Sequence, residues 1–155
     1  IYSGSLLERK VKKEFNKVKC IRFLGRVDAS QVREKQCESD ILLHVEAFDR
    51  GSVNSTRLSL STKIPEYLGT AVCVFAYGPQ NIASLRYLSD NTLAQVCYFK
   101  TDIKEKLLEI IDSVEKRNEY QEKGVRWAAE YHDIRNVCME FQKTILEAWG
   151  DSGIE

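Results

Sequence analysis

The chain has 155 residues, 43% hydrophobic and 30% charged, with 23 Lys or Arg against 23 Asp or Glu and a formal net charge of zero. That is one domain's worth of an ordinary globular protein, long enough to bury a core. A zero net charge argues against a nucleic-acid binder, which carries a strong basic excess.

The zero hides an asymmetry, because residues 1–35 hold ten Lys or Arg against four Asp or Glu, leaving the remainder net acidic by the same margin. Ile1-Tyr2-Ser3-Gly4 reads as a short strand and its glycine turn. A helical pattern over 6–17 follows, and its basic residues read as a solvated face rather than a phosphate or membrane patch. Apolar runs at 20–24, 41–45, 71–75 and 95–98 predict strands, and helices are expected over 30–38, 61–68 and 81–88. Pro65 cannot donate a backbone N–H and fits only near a helix start, so the third helix begins near Ser61 or Thr62 and stops at Gly69. Strands separated by helices imply a parallel sheet joined by right-handed crossovers: a three-layer α/β/α Rossmann-like domain over residues 1–150. The strand runs are continuous rather than alternating, the pattern of a sheet covered on both faces.

Beyond Phe99 the pattern turns helical. Asp102 can cap a helix to Glu115 with Ile103, Leu107, Leu108, Ile110, Ile111 and Val114 on one stripe, a second runs to about Tyr131, and a third spans 133–149. Residues 151–155 read as a frayed tail. The five cysteines (Cys20, Cys37, Cys73, Cys97, Cys138) are odd in number and mostly sit in or beside apolar runs. Four of them are expected as buried free thiols and all five as reduced, which fits a reducing cytoplasm, with no metal-site spacing. No signal peptide and no run long enough to cross a membrane is seen.

Thr62-Lys63-Ile64-Pro65-Glu66-Tyr67-Leu68-Gly69-Thr70, followed by an apolar strand and Tyr77-Gly78-Pro79, resembles the K-x-x-E-Y-hydrophobic-x-x-G-x-P-V signature of bacterial group 1 glycosyltransferases. Ile21-Arg22-Phe23-Leu24-Gly25-Arg26-Val27 and Glu38-Ser39-Asp40-Ile41-Leu42-Leu43-His44-Val45 resemble two further landmarks of that family, and the resemblance spans roughly residues 1–132. These are retaining, nucleotide-sugar-dependent enzymes of the two-domain GT-B arrangement. The resemblance implies the C-terminal, donor-binding domain of a hexosyltransferase-type enzyme acting on a glycan or lipid-linked acceptor, as in surface polysaccharide biosynthesis. It also implies that the first strand of that domain and the N-terminal acceptor domain of the same polypeptide lie upstream, so that this piece alone is inactive. No cofactor or metal is implied beyond the nucleotide-diphosphate sugar itself. The location implied is cytoplasmic, with at most peripheral association at the inner face of the membrane.

The resemblance gives Glu66 as the ribose-binding carboxylate, while the residues alone allow a helix-start glutamate placed by the dipole. Ser61, Thr62 and Lys63, with Ser59 before them, would meet the diphosphate at a helix N-terminus, or simply cap and solvate it. Gly25, Arg26 and Val27 fall where the family has its base-binding turn, at the carboxyl end of a strand. The family often places a second glutamate eight residues before the first, in contact with the donor sugar. Here that position is Leu58, and Glu46 and Asp49 are the candidates to replace it. His44 reads as a core or edge histidine rather than a catalytic base, and no catalytic residue is assigned. Gly78-Pro79-Gln80-Asn81 reads as a turn into a helix. The competing class is a non-catalytic, flavodoxin-like regulatory or ligand-binding module, which calls for acidic clusters at strand ends. After Leu24 the chain instead has Gly25 and Arg26.

Overall fold

The computed structural model describes residues 2–3 and 9–151. The chain divides into two compact units, Ile1–Glu38 and Ser39–Glu155.

In the first unit β1 (Tyr2–Ser3) pairs in parallel with β2 (Gly25–Arg26), α1 (Arg9–Phe15) lies between them in sequence, and α2 (Ala29–Cys37) follows. The predicted start of α1 at Leu6 and the turn at Gly4 lie outside the described residues. The strand expected over 20–24 is not formed. The chain leaving α1 keeps turning, with Lys17 N–H bonded to Glu14 O, Val18 to Phe15 and Ile21 to Val18, all at 3.0–3.1 Å. Pairing therefore starts only at Gly25, whose φ of +78° is one that a β-carbon resists. Phe23 is engaged locally, with the Lys12 ammonium 5.9 Å from its ring centroid.

The second unit is an α/β fold on a three-stranded parallel sheet. Its order is β3 (Ile41–Val45), β4 (Cys73–Tyr77), β5 (Gln95–Cys97), with Ile41 opposite Cys73 and Phe75 opposite Gln95. Helices α3 (Arg50–Thr56) and α4 (Lys63–Leu68) connect β3 to β4, and α5 (Ala83–Asp90) connects β4 to β5. A 3-10 turn at Lys100–Asp102 leads into α6 (Ile103–Asp112), α7 (Val114–Tyr131) and α8 (Ile134–Asp151). Strand β4 starts two residues later than expected because Ala71 sits at φ +57°, a left-handed turn conformation out of which the chain straightens only at Cys73.

Alternate residues of β4 enter two separate clusters, as a period of two requires. Val74 and Ala76 join Leu42, Ile64, Leu68, Leu85, Leu88 and Val96, while Cys73 and Phe75 join Cys97 and Ile110. Each such Leu or Ile contributes roughly 1.5–3 kcal/mol through burial. The end strand β3 is only half covered: Leu42 and His44 are buried, but Leu43 and Val45 are 58% and 63% exposed. The expectation of a sheet covered on both faces fails there, despite the unbroken apolar run.

The long helix expected to reach Glu115 ends at Asp112. Arg117 Nη1 donates to the carbonyls of Ile110 (2.6 Å) and Ile111 (2.7 Å), closing α6, and Ser113 Oγ accepts the Lys116 N–H at 3.1 Å to open α7. Tyr120 donates to Gln95 Oε1 (2.9 Å), and Gln95 donates to Glu109 (3.1 Å), which also pairs with Lys116; this network ties α6 and α7 to β5. At the far end of α7, Trp127 Nε1 donates to Tyr87 Oη at 2.6 Å, and Tyr87 Oη lies 2.8 Å from His132 Nε2. Helix α8 presents Ile134, Val137, Phe141, Ile145 and Trp149 to solvent. Of the predicted tail, Asp151 closes α8 and the rest lies outside the described residues.

All five cysteines are free, and Cys73 and Cys97, the two inside strands, are buried; Cys20, Cys37 and Cys138 are exposed, so the burial expected for four of them is met at two. Burial pushes the Cys73 thiol up to about 11 and raises Cys97 as well.

Candidate functional site

The carboxyl end of β3 carries polar groups that the apolar run conceals. Leu42 and His44 point the same way on the strand, and the ladder continues one residue beyond it through Glu46 N–H to Tyr77 O at 2.9 Å. Glu46 therefore falls on the face of His44, and His44 Nε2 lies 3.0 Å from Glu46 Oε1. A carboxylate only accepts, so Nε2 carries the proton in this pair. His44 is 5% exposed and the Glu46 side chain 16%. Opposite them Gly78 follows β4, and a β-carbon placed there would lie 2.8 Å from Glu46 Cβ and 3.2 Å from Leu85 Cδ2. Gly78→Ala is expected to cost about 1–3 kcal/mol through overpacking. Unchanged stability in chemical denaturation would show that the end of β3 gives way freely.

The pKa of His44 is lowered from 6.5 mainly by burial, opposed by the Glu46 charge and hydrogen bond and reinforced by Lys63. His132 is lowered too, by burial. The unfolded chain therefore binds these protons more readily than the folded one. Their contribution is complete above the unfolded value of 6.5 and is lost as pH falls through it toward the folded values. Asp49, Glu109 and Glu115 are lowered from 3.8, 4.5 and 4.5, so their share is lost only in more acid solution. Stability is expected to fall between about pH 7 and pH 5 and to fall less in His44→Gln. Melting temperatures measured across that window decide, and a flat profile for the parent would refute the assignment.

Lys63 opens α4 and is exposed, and Pro65 is the third residue of that helix, where its missing N–H costs nothing. Ile64 and Leu68 turn into the core, leaving Glu66, two residues on from Ile64, exposed in the first turn. The preceding loop is fixed by α5. Ala83 N–H bonds Arg57 O (2.8 Å), while the buried Ser84 Oγ donates to Ser59 O (3.3 Å) and accepts the Ser61 N–H (3.0 Å). The Ser61 N–H, which the resemblance turns toward a diphosphate, donates to Ser84 in this structure. Thr62 stands at the N-cap with helical dihedrals and no side-chain cap bond, so its hydroxyl does not close the helix.

Of the two candidates to replace a glutamate at Leu58, which is itself 80% exposed, Asp49 is engaged elsewhere. Its Oδ1 accepts the Ser52 N–H at 3.0 Å as the N-cap of α3, and bonds to Ser52 lower its pKa. Gly25 and Arg26 form β2 of the first unit and Val27 follows it. The second unit thus brings His44, Glu46 and Gly78 together, and Lys63, whose charge reaches His44, shares the start of α4 with Thr62 and Glu66.

Sequence reasoning placed α4 and missed the His44–Glu46 pair, although an i, i+2 spacing at a strand end is the signal that could have found it. It also missed the Ser84 clasp and α3, whose only mark is Asp49 three residues before Ser52. No protein-family model matches the chain, and no curated protein matches it. Among the described residues, no three His, Cys, Asp or Glu gather as metal ligands and no helix is long and apolar enough to cross a membrane.

Proposed function

We propose that the chain is the donor-binding domain of a retaining, GT-B-type glycosyltransferase that takes a nucleotide-diphosphate sugar, with its elements in three-layer Rossmann-like order. The observation that carries this reading is the His44–Glu46 pair at the carboxyl end of a parallel sheet, in the unit that also holds the start of α4. Open parallel sheets bind ligands beyond the carboxyl ends of their strands, where helix N-termini offer free N–H groups to phosphate.

In this reading Glu66 accepts from the ribose hydroxyls, and Thr62 and Lys63 meet the diphosphate. The chemistry is electrostatic: amides and the Lys63 ammonium stabilise the charge that builds on the departing nucleoside diphosphate. The acceptor, a glycan or lipid-linked sugar, is held by an N-terminal domain of the same polypeptide, and the enzyme works in the cytoplasm or peripherally at the inner face of the membrane. Catalysis needs groups from both sides of the cleft, so the chain alone binds nucleotide weakly and transfers no sugar. Calorimetric titration with UDP, GDP and ADP tests the reading. Measurable binding of one of them is expected, and binding of none would overturn it.

A further inference from the structure

The corner between the two 18-residue helices α7 and α8 consists of His132 and Asp133. His132 caps α7, its N–H bonded to Ala128 O at 2.9 Å, and Asp133 opens α8, its Oδ1 accepting the Arg135 N–H at 2.9 Å. The His132 ring reaches α5, where Tyr87 Oη lies 2.8 Å from Nε2 and also receives the Trp127 Nε1–H at 2.6 Å. An indole N–H only donates, so Tyr87 accepts from Trp127 and keeps its own hydrogen for His132. The assignment that uses every donor leaves Nε2 unprotonated, with the ring proton on Nδ1. A proton added at Nε2 would put two hydrogens between the partners. The hydroxyl must then turn away, and the half-buried Tyr87 loses its acceptor. On α5 the ring meets Tyr87, their centroids 5.9 Å apart; on α7, Trp127 and Tyr131 stack at 4.4 Å, with the Tyr131 hydroxyl bonded to Glu130. Asp133 is committed to the first amides of α8, and burial, with no charged side chain among the causes, lowers the His132 pKa.

We propose that the Tyr87–His132 hydrogen bond is an acid-sensitive latch, which holds the α7–α8 corner to α5 while His132 is neutral and lets it go when Nε2 takes a proton. The corner sets the direction of α8, whose residues 134–150 are all exposed. Asn136, donating to Ala129 O at 3.3 Å, ties α8 to α7 and not to α5. Burial therefore does little to fix the outer helix, and the latch governs where its stripe of Ile134, Val137, Phe141, Ile145 and Trp149 points. The device is independent of nucleotide binding.

The test follows ring nitrogens and backbone amides by NMR between about pH 7.5 and pH 5, the span around the ordinary histidine value. The neutral His132 ring of the parent is expected to carry its proton on Nδ1. Amide exchange over residues 134–150, corrected for intrinsic rates, is expected to quicken by about two- to tenfold as the ring titrates, the range for one lost hydrogen bond. His132→Gln, whose amide oxygen still accepts from Tyr87 and does not titrate, is expected to keep slow exchange throughout. Tyr87→Phe is expected to exchange near neutrality as the parent does in acid, and to raise the His132 midpoint because the neutral ring loses its donor. Melting temperatures establish first that each variant folds. His44 is present in all three proteins, so its titration does not produce the difference. A neutral ring protonated at Nε2, a ring that stays neutral to the acid end, or α8 exchange that is flat across the parent's titration refutes the latch. A pH dependence that survives in His132→Gln refutes it as well. Should Tyr87→Phe fail to fold, the ring tautomer and the His132→Gln profile decide alone.

Discussion

Leu85→Ala is expected to lower the unfolding free energy by about 2–5 kcal/mol, the range for a buried leucine cut to its β-carbon where the surroundings only partly collapse. Leu85 is fully buried in the cluster that joins α4 and α5 to the sheet, and its Cδ2 lies 3.2 Å from the point a β-carbon on Gly78 would occupy. The cavity would open directly under the turn that follows β4. Its effect would also reach the loop before α4, because Ser84, next to Leu85, holds that loop by two hydrogen bonds. Urea denaturation of parent and variant measures the loss, with an unchanged dependence on denaturant showing that the native state keeps its extent. A shift worth less than about 1 kcal/mol would mean that α5 can slump into the gap and is not the support described here.

Glu66→Gln is expected to weaken nucleoside diphosphate binding by about ten- to hundredfold if the carboxylate accepts from a ribose diol, since charge-assisted hydrogen bonds are worth roughly 1.5–3 kcal/mol. The substitution keeps shape and reach and removes only the charge. Glu66 lies in the first turn of α4, so the helix dipole offers a competing account. On that account the change costs well under about 1 kcal/mol of stability and leaves affinity alone. Melting temperature and affinity measured at one salt concentration separate the two. A variant that melts slightly lower but binds as tightly as the parent would refute the ribose role.

Where the sequence could be read, its signals were local. Strand β3 falls on the predicted residues 41–45 because an unbroken apolar run after Asp40 has one interpretation, and α4 is found because Pro65 admits few positions in a helix. The strand expected over 20–24 fails because the turns that follow α1 draw on backbone hydrogen bonds, which side-chain identity does not report. The late start of β4 has a similar cause: Ala71 takes a left-handed conformation that its β-carbon does not advertise. The candidate site divides the same way. Thr62, Lys63 and Glu66 are legible as one helix start, whereas the His44–Glu46 pair depends on the extra rung beyond β3 and on the room at Gly78. Both are products of the paired sheet. The Ser61 amide looked available only because the serine that takes it lies 23 residues away.

The placing of the thiols divides the chain's chemistry with oxidants and electrophiles. Only a thiolate is nucleophilic, and Cys73, pushed up to about 11, holds almost none near neutral pH; burial raises Cys97 too. Reagents meeting the folded protein therefore act at Cys20, Cys37 and Cys138, on a turn, a helix end and the outer helix α8. Damage or labelling there leaves the sheet untouched. The two core sulfurs are reached only when β4 and β5 come apart, so their modification is a chemical record of unfolding.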